Sequence, residues 1–600
     1  MIMRLADYVA DTLVKAGVRH LFMLPGGAAM HLNDAVARQP LLEVVGTLHE
    51  QAAAIAAEAS ARITGTYGAC MVTAGPGGTN AITGIAGAWL DSTPCIFLGG
   101  QVKSADLKTS RGVRQYGVQE IDLVSIVTPI TKYAVTITDP QSVRFHLEKA
   151  LYLAMEGRRG PVWLEFPLDI QAAKIDPDTL ESFTPPATAR HINPQLKSLA
   201  AQAIELLNKS ERPIILAGNG LRNAGAIGEF REFVERFKIP VLTTWLGMDL
   251  IEADHPLYVG RPGSMAPRGA NFALQNADWL LTIGTRLDLA LVGYSYERLA
   301  RAASKVVVDI DDAEIRKLSM PIDVPVCSDA GDFLREILAH SSSIAQKPRQ
   351  PWHDRCLEWK TKYPLVLPEH RAPGEALSAY HFSERLSDAL DGGDIVAPGS
   401  SGFACEIFLL NYQAKAGQRM FHNRGTGAMG FGLPSSIGAC VGSGRRRTIC
   451  VDGDGGFQMN IQELETVRRL NLPIKFFIVN NNGYASIRAS QAGYFKLLTC
   501  ADPTSGLTLP DIKKVAEAYG IRSFRIDTAQ ALDAGIRQVL STRGPVVCEV
   551  VTKPDEARIP RLSSYQKPDG NMASKPIEDL FPFLDRAEFL SNMIVPAVEE

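Results

Sequence analysis

Two apolar strand patterns in the last third of the chain each end directly in polar residues, and this arrangement constrains the fold most. The segment 451–457 reads VDGDGGF, and the strand pattern 473–479 runs into the asparagine triplet 480–482. Between them, apolar residues recur at helical spacing (Ile461, Leu464, Val467 and Leu470). A strand, a helix and a second strand in this order predict two parallel strands whose carboxyl ends lie at one edge of a sheet.

Asp454 and Asn481 are the candidate metal ligands at this edge. They lie 27 residues apart and would supply one anionic and one neutral oxygen, while the turn beyond Asn481 offers a backbone carbonyl. Gly453, Gly455 and Gly456 let backbone amides approach a phosphate group. Such a site suits Mg²⁺ holding a diphosphate. An ordinary tight turn is the alternative for Gly-Asp-Gly alone, and the spacing to the asparagines argues against it.

The same segment resembles the Gly-Asp-Gly and Asn-Asn signature of thiamine-diphosphate enzymes. Other stretches resemble the acetolactate synthase branch of that family, namely 48–54 (LHEQAAA), 72–80 (VTAGPGGTN), 90–94 (LDSTP) and 99–102 (GGQV). The similarity covers essentially the whole chain in the family's order. It implies thiamine diphosphate and Mg²⁺ as cofactors, with the metal held by Asp454, Asn481 and the backbone carbonyl of Gly483.

Strand, glycine turn and helix alternate along the chain, which predicts an α/β fold with helices on both faces of parallel sheets. At 600 residues the chain exceeds a single core. The resemblance implies three doubly wound parallel-sheet domains: a pyrimidine-binding domain (1–175), a Rossmann-like middle domain (190–340) and a diphosphate-binding domain (370–555). The segment 556–600 is rich in aromatic and apolar residues, so we expect it to pack on the body.

A short repeat links the first and third domains. The heptad Arg-Gly-Pro-Val-x-x-Glu occurs at 159–165 and again at 543–549, near the end of each domain. This weak internal repeat indicates two related sheets.

Glu50 is the predicted activating acid. The resemblance implies that its carboxyl group lies in a dry pocket and bonds the aminopyrimidine ring of the cofactor. Taken alone, a glutamate on an alanine-rich helix is more often a solvated surface residue, and the surrounding motif reverses that interpretation. The same resemblance assigns Gln119 and Gly27 to the catalytic group.

The other predicted cofactor contacts lie mainly in loops after strands. On the pyrimidine side they are Pro25, Gly26, Pro76 and Asn80, and on the diphosphate side Ser400, Ser401, Gly427, Met429, Gly453, Gly455, Gly456, Tyr484 and Ala485. Met429 would wedge under the cofactor, with ordinary core packing as the alternative for a methionine. In the middle domain, 218–220 and 284–288 match positions of flavin contacts. Any Rossmann-like unit needs a glycine after a strand, so FAD binding stays open.

The predicted substrate side comprises Ala28, Val118, Arg488 and Ser490. Acetolactate synthases carry a tryptophan where this chain has Ser490, and the smaller residue opens space and adds hydrogen-bonding capacity. We therefore expect an acceptor that is bulkier and more polar than a short 2-oxo acid. Arg488 is a candidate contact for an anionic substrate group, and an exposed arginine without such a role is the alternative. The chain's ending, together with 485–488, resembles carboligases that modify keto sugars.

These observations predict an enzyme that decarboxylates pyruvate or a similar 2-oxo acid and forms a C–C bond with a carbonyl acceptor, a keto sugar among the candidates. Acetolactate synthase itself, a decarboxylase and a C–C hydrolase are the alternatives within the family. From another class, a non-catalytic cofactor-binding homologue remains as an alternative, and the retained Glu50 speaks against it.

Charge and composition argue against nucleic-acid and membrane partners, so we expect only small-molecule substrates and other copies of the chain as partners. A net charge of −3 provides no positive field for nucleic acid. No apolar run reaches membrane-spanning length and no signal peptide is evident, and nine scattered cysteines without a Cys-x-x-Cys pair fit a reducing compartment, so we expect a cytoplasmic protein. The resemblance implies a homodimer or homotetramer in which one subunit's first domain faces its partner's third.

Overall fold

The computed structural model describes residues 2–109, 111–186, 193–372, 376–566 and 570–598. It contains three six-stranded sheets, and the described strand pairs within each are parallel. This confirms the predicted α/β fold class. The expected domain limits at residues 1, 190 and 600 lie outside the described residues. By their contacts, residues 1–189, 393–406 and 421–555 form one compact unit, and residues 190–392, 407–420 and 556–600 form another.

The first sheet has the strand order β3-β2-β4-β5-β7-β6. The strands of this part of the chain are β1 (Met3–Arg4), β2 (His20–Met23), β3 (Glu43–Gly46), β4 (Gly68–Val72), β5 (Cys95–Gln101), β6 (Tyr133–Thr136), β7 (Val162–Pro167) and β8 (Lys174–Ile175). Its α-helices are α1 (Leu5–Lys15), α2 (Met30–Arg38), α3 (Glu50–Thr64), α4 (Pro76–Leu90), α5 (Leu123–Val127), α6 (Val143–Met155) and α7 (Leu168–Ala172). Helix α1 buries Leu5, Val9 and Leu13, which recur every four residues and lie on one face of the helix.

The middle sheet has the order β11-β10-β9-β12-β13-β14. Its strands are β9 (Pro213–Ala217), β10 (Val241–Thr243), β11 (Tyr258–Gly260), β12 (Trp279–Ile283), β13 (Ser304–Asp309) and β14 (Val324–Cys327). The helices of this part are α8 (Leu196–Lys209), α9 (Gly220–Asn223), α10 (Ile227–Phe237), α11 (Arg268–Gln275), α12 (Asp312–Arg316), α13 (Ala330–Ala339) and α14 (Gln350–Lys362). Counted along the chain, this order is the 3-2-1-4-5-6 arrangement of Rossmann folds.

The third sheet has the order β16-β15-β17-β18-β20-β19, the same as the first when strands are counted along the chain. Its strands are β15 (Ile395–Val396), β16 (Arg419–Met420), β17 (Thr448–Gly453), β18 (Ile474–Asn480), β19 (Arg522–Ile526) and β20 (Val546–Val551). The helices are α15 (Ala379–Ala389), α16 (Phe403–Asn411), α17 (Gly432–Gly442), α18 (Asp454–Phe457), α19 (Leu464–Arg469), α20 (Ala485–Tyr494), α21 (Ile512–Ala518) and α22 (Leu532–Ser541). The shared order confirms that the repeated heptad marks two related sheets.

The C-terminal segment forms an antiparallel pair, β21 (Ser564–Gln566) and β22 (Met572–Ser574), followed by α23 (Arg586–Ser591). It lies against α11, because Asn271 Nδ2 donates to the carbonyl of Ile577 (2.6 Å) and Arg268 Nη1 to that of Leu580 (2.7 Å). Phe589 of α23 joins the apolar cluster of the middle sheet.

Helices α3 and α17 cross at very short range. A Cβ added to Gly438 would lie 2.0 Å from the carbonyl oxygen of Ala56, and one added to Gly442 would lie 3.0 Å from Oγ of Ser60. Moving four residues along α17, from Gly438 to Gly442, also moves the contact four residues along α3, from Ala56 to Ser60. The two helices therefore run in the same direction, and their first turns are neighbours. In the described parts of the chain, no helix is both long enough and apolar enough to span a membrane.

Candidate active site

Glu50 is the first residue of α3 and is nearly buried, with 7% of its surface exposed. The ring nitrogen Nδ1 of His49 caps the helix by accepting from the backbone N–H of Gln51 (3.1 Å). Asn80 on α4 donates from Nδ2 to Oε2 of Glu50 at 3.0 Å. The structure therefore brings together two residues that the sequence assigns to catalysis and to cofactor binding.

Two residues of the third domain hold the turn that carries Glu50. Glu463 is buried and accepts from the backbone N–H of Leu48 (2.9 Å), and burial raises the pKa of its carboxyl group. Asn460 Nδ2 donates to Oε1 of Gln51 (3.0 Å) and to the carbonyl of Gly430 (2.8 Å). One amide thus links the neighbour of Glu50 to the neighbour of Met429.

Asn460 and Glu463 were not among the predicted site residues. Positions 458, 462 and 465 of the same stretch are polar too, so no signal in the sequence distinguishes these two residues. In the structure, both side chains are buried and reach the turn of the first domain that carries Glu50.

Asp454 lies where the strand patterns predict it, at the edge where β17 and β18 end side by side, with Gly453 opposite Val479. Its carboxylate is buried and accepts from the N–H groups of Gly455 (2.8 Å) and Gly483 (3.0 Å). Burial raises the pKa of Asp454 to about 6, although these amides and those of Asn481 and Asn482 lower it. A bound cation would stabilise the ionised form of such a carboxyl group.

Two consecutive residues of the loop after β18 have a positive φ, 63° at Asn482 and 120° at Gly483. A side chain at Gly483 would collide with the carbonyl oxygen of Ala501, because an added Cβ would lie 2.4 Å from it. The same carbonyl accepts from the N–H of Tyr484 (2.8 Å). Asn481 is buried in this loop. We call residues 480–484, which contain the candidate metal ligands Asn481 and Gly483, the metal loop.

The donor set fits a hard cation held together with a phosphate group. Within the described residues, no group of three or more His, Cys, Asp or Glu side chains could hold a metal by itself. One carboxylate, one amide and one carbonyl leave positions for phosphate oxygens and water. A Cβ added to Gly453 would meet only the methyl group of Ala404, at 3.8 Å, so space remains beside it.

Gly455 and Gly456 have a different reason to be glycine. A Cβ at Gly455 would lie 2.2 Å from the ring of Tyr484, and one at Gly456 would lie 2.6 Å from Oδ1 of Asp452. Asp452 is a buried carboxyl group that the motif does not single out, and burial raises its pKa to about 7. Close packing thus accounts for two of the three predicted phosphate glycines. Tyr484 precedes α20, which begins at the predicted contact Ala485.

Asn423 organises the loop that leads to Met429. Its backbone N–H donates to Oγ of Ser400 (2.8 Å), and its side-chain oxygen accepts from the N–H groups of Thr426 (3.0 Å) and Gly427 (3.3 Å). Gly427 has a φ of 57°, which favours glycine. These contacts bring Ser400 next to Gly427, two residues that the sequence assigns to the diphosphate side. Met429 and Ser401 are half-buried.

The loop after β2 is fixed to the end of β4. A Cβ added to Gly26 would lie 2.4 Å from Cβ of Thr73, and the N–H of Ala28 donates to Oγ1 of Thr73 (3.2 Å). Pro25 and Gly27 are exposed, and nothing lies within 4 Å of a Cβ added to Gly27. Pro76, the first residue of α4, is also exposed. Packing therefore explains Gly26 but not Gly27.

A buried carboxylate shapes the loop that carries Gln119. Glu120 accepts from the backbone N–H groups of Lys108 (2.5 Å), Tyr116 (3.0 Å) and Gly117 (3.0 Å). Gln119 has a φ of 62°, and Val118 is 84% exposed. This loop presents Val118 and Gln119 at the surface of the first domain.

Arg488 on α20 is 7% exposed, so the predicted alternative of an exposed arginine is wrong. Its guanidinium group donates to the carbonyls of Asn481 (3.1 Å) and Asn482 (3.2 Å), to Oδ1 of Asp555 (2.9 Å) and to the carbonyl of Pro554. These contacts direct the charge at the metal loop and give no support to a substrate contact. Ser490, further along α20, is exposed.

The glycines at the predicted flavin positions pack against each other. A Cβ added to Gly218 would lie 2.2 Å from the carbonyl oxygen of Gly284, and one added to Gly220 would lie 2.5 Å from Cα of Gly284. Packing of two strand ends explains these residues and provides no argument for a flavin.

Three family models match the chain in sequence. They are the N-terminal thiamine pyrophosphate binding domain of thiamine pyrophosphate enzymes (residues 3–126), their central domain (200–337) and their C-terminal binding domain (401–550).

Similar proteins include the acetolactate synthase large subunit of Cyanidium caldarium, 33% identical over 92% of this chain and 94% of that protein. Acetolactate synthase 1, chloroplastic, of Oryza sativa subsp. japonica is 32% identical over 93% of this chain and 86% of its own length. The acetolactate synthase large subunit of Porphyra purpurea is 30% identical over 92% of each chain.

Proposed function

Because this chain belongs to the thiamine-diphosphate-dependent enzymes of the acetolactate synthase-like family, we propose that it decarboxylates pyruvate or a similar 2-oxo acid and joins the two-carbon unit to a carbonyl acceptor. Thiamine diphosphate, when bound, supplies the electron sink for this chemistry. One observation carries the proposal: the Glu50 carboxyl group is nearly buried and accepts a hydrogen bond from Asn80. Glu50 also lies in a sequence motif that resembles the one around the activating glutamate of this family. A scaffold protein would have no need for such a carboxyl group.

In the proposed site, Glu50 would hold or release a proton at its carboxyl group next to the cofactor ring, and Asn80 fixes the carboxyl orientation through Oε2. Asp454, Asn481 and the carbonyl of Gly483 would hold Mg²⁺. The space beside Gly453 and the Ser400 hydroxyl group would receive the diphosphate. The near-complete burial of Glu50 keeps water away from the proton transfer.

For the acceptor, we propose a carbonyl compound larger and more polar than a second 2-oxo acid, with keto sugars as the class to test first. Two features support this choice. Ser490 stands where synthases of this branch carry a tryptophan, and it is exposed on α20. Val118, on the loop assigned to the substrate side, is 84% exposed. Both features leave room for a bulky polar group.

Acetolactate synthase is the second candidate function. Its specific support is the identity of 30–33% to proteins of that name over more than nine-tenths of the chain. Both candidates use the same donor and the same Glu50, and they differ only in the acceptor.

The assembly expected for either function is a homodimer or homotetramer, as the family resemblance implies. FAD is not part of the proposal, because packing accounts for the glycines at the corresponding positions. A cytoplasmic location is supported by the nine free cysteines, seven of them buried, which suit a reducing compartment.

Product analysis by mass spectrometry tests the function. The purified protein receives thiamine diphosphate, Mg²⁺ and ¹³C-labelled pyruvate, first alone and then with aldehydes, 2-oxo acids or keto sugars. A labelled sugar adduct formed only with the sugar supports the carboligase, whereas acetolactate from pyruvate alone supports the synthase. Release of acetaldehyde as the main product under all conditions would contradict both.

A further inference from the structure

We propose that Arg488 is a positioning residue for the metal loop. By holding two consecutive backbone carbonyls, it orients the Asn481 side chain and the Gly483 carbonyl toward Asp454. This inference rests on the proposed function, because it concerns the loop that we assign to Mg²⁺ and the diphosphate.

The hydrogen bonds of Arg488 divide into two sets. Nη1 and Nη2 donate to the carbonyls of Asn482 (3.2 Å) and Asn481 (3.1 Å) in the metal loop. Nε donates to Oδ1 of Asp555 (2.9 Å), and Nη2 also reaches the carbonyl of Pro554, both just after β20. The planar guanidinium group thus joins the loop to the strand end beside it, a geometry that lysine cannot reproduce.

The carbonyl contacts fix the peptide planes on both sides of Asn482. Because the carbonyl of Asn481 faces Arg488, the side chain of Asn481 is its remaining oxygen donor for a metal. The contact of Arg488 with the carbonyl of Asn482 fixes the next peptide plane in the same way. That plane includes the N–H of Gly483 and so sets the orientation of this residue. The N–H of Gly483 donates to Oδ2 of Asp454 (3.0 Å), which shows that the loop reaches the carboxylate in this conformation.

Several contacts hold the backbone of the loop. Asn482 has a φ of 63°, in the left-handed region that asparagine adopts more readily than other residues with a side chain. Its N–H donates to Oδ1 of Asn480 (3.0 Å), and Nδ2 of Asn480 in turn donates to Oε1 of Glu549 (2.7 Å). Arg488 donates to the carbonyls of Asn481 and Asn482, and because its guanidinium group is charged, these hydrogen bonds are stronger than those between neutral groups.

The ion pair with Asp555 is the weaker part of the arrangement. The side chain of Asp555 is 81% exposed, so solvent screens its attraction to Arg488. If Arg488 acts through the carbonyls, removal of the Asp555 charge should affect the metal loop little. This difference separates a role in orienting the loop from a role as a surface ion pair.

Calorimetric titration of Mg²⁺ into protein with saturating thiamine diphosphate tests the proposal, together with thermal melting without cofactors. We expect Arg488→Met to raise the Mg²⁺ dissociation constant by about 10- to 100-fold, the effect typical of partners that orient metal ligands. Arg488→Lys keeps the charge but loses the planar guanidinium group with its several donors, so we expect a smaller increase in the Mg²⁺ dissociation constant than in Arg488→Met. Asp555→Asn should stay within about twofold of the wild type.

Arg447→Met is the matched control. Arg447 makes a two-pronged contact with Asp394 (2.6 and 2.8 Å) just before β17, at the opposite edge of the same sheet. Its loss should lower the melting temperature without changing the Mg²⁺ dissociation constant. A purely structural role of Arg488 would give the same result for both methionine variants.

Wild-type Mg²⁺ affinity in Arg488→Met, or an increase in the dissociation constant no larger than that of Arg447→Met, would overturn the proposal. An effect of Asp555→Asn as large as that of Arg488→Met would overturn it too, because the ion pair would then be responsible. If Arg488→Met does not fold, Arg488→Lys decides by the same criteria. Failure of the wild type to bind Mg²⁺ and thiamine diphosphate would instead refute the proposed function.

Discussion

Glu165 on β7 and Glu549 on β20 occupy equivalent positions in two sheets of the same strand order, but their partners on the neighbouring strand differ. In register, Thr136 lies beside Glu165 and Arg525 beside Glu549. Arg525 Nε donates to Glu549 at 2.7 Å, whereas Glu165 accepts from Oγ1 of Thr136 at 2.8 Å. Burial raises the pKa of Glu165 to about 7.

The first prediction follows from that raised pKa. Below 4.5, the ordinary pKa of a glutamate, Glu165 is neutral in both states, and between 4.5 and about 7 only the unfolded chain releases the proton. Wild-type stability therefore falls over this range relative to Glu165→Gln, by on the order of 3 kcal/mol. Melting temperatures of the two proteins between about pH 5 and about pH 8 should diverge as the pH rises. A constant difference would contradict the assigned pKa.

A second prediction concerns Arg62, which is buried between two carboxylates. Its Nη2 contacts Glu58 (2.5 Å) and Asp91 (2.9 Å). In Arg62→Met the two acids face each other without a cation, and we expect a loss of about 3–5 kcal/mol in the free energy of unfolding. Thermal or urea unfolding measures this loss. The control is Arg468→Met, which removes an exposed pair with Glu465 and should leave stability unchanged.

Replacement of Glu50 by glutamine tests the activating acid. Glutamine keeps the size and the contact with Asn80 but cannot exchange the proton, so we expect kcat to fall by about 10²- to 10⁴-fold. Thiamine diphosphate should still bind, as calorimetry would show. Glu43→Gln, which changes a partly exposed glutamate of the same domain, serves as the control and should retain activity. Normal turnover by Glu50→Gln would remove the basis for the proposed function.

Metal removal should weaken cofactor binding reversibly. After dialysis against EDTA, the protein should bind thiamine diphosphate weakly, and added Mg²⁺ should restore binding. Asp454→Asn removes the anionic oxygen, and we expect the Mg²⁺ dissociation constant to rise by more than about tenfold, the lower limit for losing even an outer partner. Unchanged Mg²⁺ affinity in this variant would show that Asp454 is not a ligand.

The fold and the position of Asp454 could be predicted because they depend on local pattern. Strand and helix periodicities placed β17 and β18 side by side, and the first and third sheets were linked by a repeated heptad. Parallel pairing then requires that the two strand ends meet at one edge. The contact between Gly483 and Asp454 follows from this geometry.

The partners of the site residues could not be predicted, because they come from distant parts of the chain. Gln51 and Asn460 are separated by 409 residues, and no periodicity links them. The direction of Arg488 depends on where the chain runs after β20, which sets the position of Asp555. A helical pattern shows which residues are polar but not whether a polar side chain meets solvent or a backbone carbonyl.

The contacts of the C-terminal segment with α11 set a condition on how the protein is made. Asn271 and Arg268 are buried, and each donates to a carbonyl that lies far along the chain, 306 and 312 residues later. Until residues 577–580 have been synthesised, Arg268 lacks the carbonyl of Leu580 and Asn271 keeps only that of Gly263, so α11 cannot complete its hydrogen bonds before that point. A premature stop codon before that point would leave a polypeptide that contains Glu50 and Asp454 but exposes the uncovered side chains of α11 to the cell's proteases.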